Sequence, residues 1–173
     1  KLERLPVAEY RLSTVKSWRD IHHFIFLPVF KEEYSIIASC VEALLKTNYP
    51  KSKMTVIVCH EERGGEETAL AVKEIEKNYK NNFLEFISIP HPAGLAGEIP
   101  GKGSNSAYAA QIVKEEIIDR RGIPYDHILV SNFDIDTAVF PEYFGVLAYT
   151  FLTSKDPLRA SYQPVPLYIN NIW

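Results

Sequence analysis

Ile128-Leu129-Val130-Ser131-Asn132-Phe133-Asp134-Ile135-Asp136 is the stretch on which the reading of this chain turns. Its opening aliphatic run reads as a buried strand over residues 128–131, and two carboxylates one residue apart follow it closely. A strand end that delivers two hard oxygen donors into a cleft is a candidate site for a divalent cation. The same triplet also occurs in ordinary turns, so its meaning depends on what the rest of the chain sets beside it.

Working outward, residues 24–29, 54–59 and 83–89 read as three earlier strands. Between the first two, Ile36, Ile37, Cys40, Val41, Leu44 and Leu45 recur at helical spacing, and Asn48-Tyr49-Pro50 stops that helix. Residues 66–79 form an amphipathic helix with acids in its first turn and lysines towards its end. A Gly/Pro-rich loop over 91–103 leads into a helix over 104–119, and Pro141 opens another that runs to Leu152. Residues 159–163 are expected to form a fifth strand. Residues 1–20, polar and weakly periodic, read as an N-terminal appendage, and residues 21–173 as one domain. Alternation of strand and helix predicts an α/β fold with a mostly parallel sheet covered on both faces. In such sheets ligands bind beyond the carboxyl ends of the strands.

Composition narrows the function classes. The chain has 173 residues, 46% of them hydrophobic and 24% charged, which are the proportions of an ordinary globular domain with a sizeable core. Its net charge of −3 offers no basic surface for nucleic acid or an anionic membrane. The apolar stretch Phe24-Ile25-Phe26-Leu27-Pro28-Val29-Phe30 is too short to span a bilayer. Cys40 and Cys59 read as buried free thiols, and no Asn-x-Ser/Thr sequon occurs. The chain begins at Lys1 and ends at Trp173 inside a strand-like segment, so it is expected to be a piece of a longer protein.

Polar residues gather at the predicted strand ends. They are Lys31-Glu32-Glu33 after the first, His60-Glu61-Glu62-Arg63 after the second, Gly101-Lys102-Gly103 after the third, and Asp134-Ile135-Asp136 after the fourth. Gly101-Lys102-Gly103-Ser104 falls short of a P-loop, because Ala96 and Gly103 stand where that motif needs glycine and Ser/Thr. A flexible loop remains, with one cation and helix N-terminal amides able to meet phosphate; the plain alternative is a solvated lysine. Glu61, Glu62 and Arg63 are either a solvated turn or a strand end that meets a base or ribose. Glu32 and Glu33 can equally act as acids at a helix N-terminus. Phe30 is placed to pack on a planar base. His22, His23, His60, His91 and His127 show no zinc spacing.

Taken in order, these pieces resemble the family-2 glycosyltransferases of GT-A fold. The matching residues are Leu27-Pro28-Val29-Phe30-Lys31-Glu32, Asn48-Tyr49-Pro50, Gly101-Lys102-Gly103, Asp134-Ile135-Asp136 with Pro141-Glu142-Tyr143, and Gln163-Pro164 with Asn170-Asn171. The resemblance implies a Rossmann-like three-layer sandwich, here incomplete, that binds a nucleotide-diphospho-sugar. It implies Pro28, Phe30, Glu32, Glu61, Glu62, Lys102 and Asp134 at the donor, and Asp134 with Asp136 on Mg2+ or Mn2+, Asp136 being the direct ligand. It further implies inverting transfer to a glycan or lipid-linked acceptor, on the cytoplasmic side. Lys31 stands where the family has asparagine, and His60-Glu61-Glu62 where it more often has Asp-Asp, so the base and ribose contacts differ. The family's catalytic base has no counterpart after Asp136 and is expected beyond Trp173, as are the acceptor half and any membrane-spanning part. Two other readings stay open. One is a glycosyltransferase-like fold kept as an inactive binding module. The other is a haloacid-dehalogenase-type phosphatase, whose Asp-x-Asp-x-Thr/Val signature meets Ala138 at its fifth position.

Overall fold

The computed structural model describes residues 14–164. Four parallel strands, β1 (His22–Val29), β2 (Met54–Glu61), β3 (Glu85–His91) and β4 (Ile128–Asn132), form one sheet in the order β3-β2-β1-β4. Four α-helices flank it: α1 (Tyr34–Leu45), α2 (Glu66–Tyr79), α3 (Lys102–Val113) and α4 (Tyr143–Thr153).

The unbroken apolar run of β1 follows from burial on both faces. Ile25, Leu27 and Val29 pack with Ile37, Val41 and Leu44 of α1 and with Val72 and Ile75 of α2. The intervening Phe24 and Phe26 pack on the opposite face under Ala109 and Val113 of α3. β2 alternates in the same way, Val56 and Val58 to one side, Ile57 and Cys59 to the other. α4 lies on the α1 side, where Phe144 and Ala148 join the first cluster and Leu147, Phe151 and Leu152 meet Leu129 of β4. Val15, ahead of the sheet, is buried in that last group.

Pro28 stands buried within the central strand, where a missing N–H would ordinarily break a ladder. The Phe26 carbonyl accepts from Phe133 N–H at 3.1 Å, so even-numbered positions of β1 face β4. The β4 ladder ends at Asn132 opposite Phe26, two residues short of Pro28, and its absent donor therefore costs no sheet bond.

The observed limits of α2 equal those read from its periodicity. One expectation is refined and one is corrected. The long helix after the loop continues past Val113 as π-helical turns over Lys114–Asp119, and the wider turn lets consecutive Ile117 and Ile118 both reach the sheet. Residues 159–163 form no strand: a 3-10 turn at Pro157–Arg159 gives way to unpaired backbone in which Tyr162 alone packs inward. The segment pairs with no strand, and among the described residues the sheet ends at β4. No described helix is long and apolar enough to cross a membrane.

His23 lies wholly buried near the start of β1, with neither ring nitrogen bonded and its ring edge-on to Tyr49 and Phe144. Burial pushes its pKa down to about 3, with His22 adding to the effect. An unfolded chain takes up that proton below about pH 6.5 while the folded chain refuses it until near pH 3, so stability falls as pH drops through this window. The expected loss by pH 4.5 is about 3 kcal/mol relative to pH 7.5, measured by urea unfolding. His23→Phe should flatten much of this slope; His22 and His60, shifted in the same direction by burial, account for the remainder.

Candidate functional site

Because all four strands run parallel, their carboxyl ends open on one edge of the sheet. The order reverses at β1, which hands the chain to β2 on one side and neighbours β4 on the other. The crevice outside this switch point is where an open α/β sheet receives a ligand.

Asp134 and Asp136 stand in the turn after β4, both exposed, with the buried Ile135 between them holding the turn to the core. The turn is closed by Thr137 N–H donating to the Asp134 carbonyl at 2.9 Å. Asp134 faces α3, where Lys102 Nζ donates to its Oδ1. Asp136 lies on the α1 side, close enough to add to the burial that pushes the Cys40 thiol up to about 12. Lys102 is the first residue of α3. One turn on, the buried Asn105 donates from Nδ2 to the Cys59 carbonyl at 2.8 Å and pins the start of the helix over the end of β2.

The end of β2 is linked to the end of β1 through a cation. Glu61 is buried and bonded to Arg63 Nε, and the Arg63 guanidinium lies 4.6 Å from the Phe30 ring centroid. Lys31 sits near the same ring at 5.1 Å. Glu32 is engaged by its own turn, accepting from Phe30 N–H at 2.7 Å and Lys31 N–H at 3.2 Å. Glu62 reaches the loop after β3, accepting from Ala93 N–H at 3.1 Å. That loop is clasped by His91, which pairs with Glu98 at 2.9 Å and meets the Tyr108 ring edge-on.

Two parts of this arrangement escaped the sequence. Asn105 carries no periodic or compositional signal, and its partner is the backbone of a distant strand. Arg63, read with Glu61 and Glu62 as either a solvated turn or a strand-end contact, is tied to Glu61 and to the Phe30 ring, partners that the local sequence does not single out. A broader recess of about 450 Å³ lies between the first turns of α1 and α2, lined by Lys31, Glu32, Glu33 and Glu67 among others. Three carboxylates against one lysine make it unsuited to an anion.

The donor set suits a hard dication in one particular way. Asp134 and Asp136 supply exposed carboxylates, and among the described residues no group of three or more His, Cys, Asp or Glu gathers as a metal site. Mg2+ is commonly held by one or two carboxylates together with substrate phosphates. Two exposed carboxylates are of the chemistry that such a cation accepts, its other ligands coming from elsewhere.

No protein-family model matches the chain, and no curated protein does. Among solved structures it is similar to residues 1–349 of TarS from S. aureus, a glycosyltransferase, with a TM-score of 0.52 and 17% identity over 76% of this chain. The match spans 32% of the TarS chain's length. The likeness shows a glycosyltransferase-like α/β fold, with the four-strand parallel sheet and flanking helices of a Rossmann-like domain.

Proposed function

We propose that this chain is the donor-binding part of an inverting, family-2-type glycosyltransferase that takes its sugar from a nucleotide-diphospho-sugar. The observation that carries the reading is the meeting of Lys102 with Asp134 at the switch-point crevice of a glycosyltransferase-like fold. It supports the reading by bringing a cation to one carboxylate of the Asp134-Ile135-Asp136 turn.

In this reading Asp136 holds Mg2+ or Mn2+ directly, Asp134 lies nearer the ribose or sugar, and Lys102 meets the diphosphate. When bound, the metal acts as a Lewis acid on the charge that develops as the nucleoside diphosphate departs. Phe30, with Glu61 or Glu62, faces the base or ribose. Pro28 lies at the carboxyl end of β1, past its last pair with β4 and still paired with β2, where the strand end meets the crevice. Glu32 holds the turn after β1 through Phe30 and Lys31 amides.

A second reading has one observation in its favour. Arg63 covers the Phe30 ring, and a base can stack there only if Arg63 moves or itself becomes the platform. A fold retained as a binding module would tolerate such an obstruction. Calorimetric titration of UDP- and GDP-sugars with and without Mn2+ tests the first reading. Metal-dependent binding of at least one donor is expected, and none with any donor would count against it.

A further inference from the structure

We infer that Lys102 and Asp134 act as a counterion exchange that couples the divalent cation to the nucleotide, so that each binds weakly without the other. The inference rests on the donor-site reading and deepens it, by assigning a coupling role to an ion pair that the chain forms with itself.

Lys102 Nζ already occupies Asp134 Oδ1, so a carboxylate facing the cation position has a positive partner in place. The two residues belong to the start of α3 and the turn after β4, and their pair closes across the crevice. Side-chain exposures of 46% and 71% mean that water can replace either partner, so the pair opens at small cost.

An arriving dication therefore meets Asp136 and a half-neutralised Asp134, with no larger carboxylate, histidine or cysteine group among the described residues to compensate. A diphosphate alters both sides of this balance. It gives the Lys102 ammonium another anion to bind, and it brings oxygen ligands of its own to the cation. Release of Asp134 favours the cation, and the cation favours the diphosphate. By linkage the coupling has the same size from either side.

The test uses Mn2+ alone, then UDP and GDP, titrated by calorimetry into the whole chain and corrected for the metal–nucleotide complex in solution. In the unaltered protein, nucleotide should tighten Mn2+ binding and Mn2+ should tighten nucleotide binding by an equal factor. Lys102→Gln should bind Mn2+ alone roughly two- to fivefold more tightly, the range expected for losing one exposed ion pair. The same variant should bind nucleotide in saturating Mn2+ about tenfold or more weakly, having lost a charged contact to phosphate. Lys102→Arg keeps the charge and should not show the tighter Mn2+ binding expected of Lys102→Gln. If the unaltered protein shows metal-dependent nucleotide binding but Lys102→Gln takes up Mn2+ alone no more tightly, the exchange is overturned and the donor reading stands. If nucleotide and Mn2+ each bind the unaltered protein independently, the exchange is overturned without recourse to any variant. If no nucleotide or nucleotide sugar binds with Mn2+, the donor reading fails and takes the exchange with it.

Discussion

Asp136→Ala should weaken Mn2+-dependent donor binding by about a hundredfold or more, leaving the affinity measured in EDTA nearly unchanged. Removing even a group behind a metal ligand typically costs ten- to a hundredfold, and Asp136 is proposed as a ligand itself. Its carboxylate is exposed in a turn that Ile135 anchors, so the substitution should shift unfolding stability by under about 0.5 kcal/mol. That separation of effects distinguishes a metal ligand from a structural residue. Asp134→Ala offers the contrast, because it releases Lys102 to meet phosphate and should retain more binding without metal. In the full-length protein Asp136→Ala also decides between the two readings: an enzyme loses its turnover, whereas a binding module keeps its partner interactions. Equal donor affinity in the variant and the unaltered chain, both in Mn2+, would rule out Asp136 as the ligand.

The elements legible in the sequence were those whose burial is one-dimensional. β1 is apolar from Phe24 to Val29 because helices cover both of its faces, and α2 is amphipathic because one face meets the sheet. The carboxylates after β4 were legible for a related reason, since the end of an apolar run marks the edge of the core. What could not be read was adjacency between elements. Lys102 meets Asp134 only because β4 joins the sheet beside β1, while the helix that precedes it crosses the opposite face from β3. Thirty-two positions separate the two residues, and no local pattern encodes that crossing. The false strand at 159–163 shows the same limit: β4 keeps an open edge among the described residues, yet the chain turns at Pro157–Arg159 and does not pair with it, a path that five residues do not encode. Lys31 and the His60-Glu61-Glu62 segment, read as departures from the family pattern, prove to belong to one cluster. Lys31 and Arg63 both lie near the Phe30 ring, and Glu61 holds Arg63.

That cluster depends on Gly64, and Gly64→Ala should destabilise the chain by about 2 kcal/mol while weakening donor binding. A Cβ on Gly64 would lie 2.0 Å from the Phe30 carbonyl oxygen and 3.1 Å from its carbon. Both atoms are backbone, so no rotamer change can relieve the overlap, and forcing an extra methyl into such packing costs about 1–3 kcal/mol. The contact is fixed from the other side by Thr68, whose hydroxyl reaches the Phe30 carbonyl at 3.3 Å and the Gly64 carbonyl at 3.2 Å. A methyl at this point must push the end of β1 away from the start of α2, moving Phe30 from beneath Arg63 and Arg63 from Glu61. Gly65 supplies the control. Its φ of +93° is costly for any side chain, but a Cβ there meets nothing within 4 Å. Gly65→Ala should therefore lose about 1–3 kcal/mol through backbone strain and leave the strand ends where they are. Urea unfolding of both variants, paired with donor titration, separates the effects: Gly65→Ala lowers stability alone, and Gly64→Ala lowers stability and affinity together. A Gly64→Ala chain as stable as the original would show that the ends of β1 and β2 are not in contact, and would remove the link from Phe30 through Arg63 to Glu61.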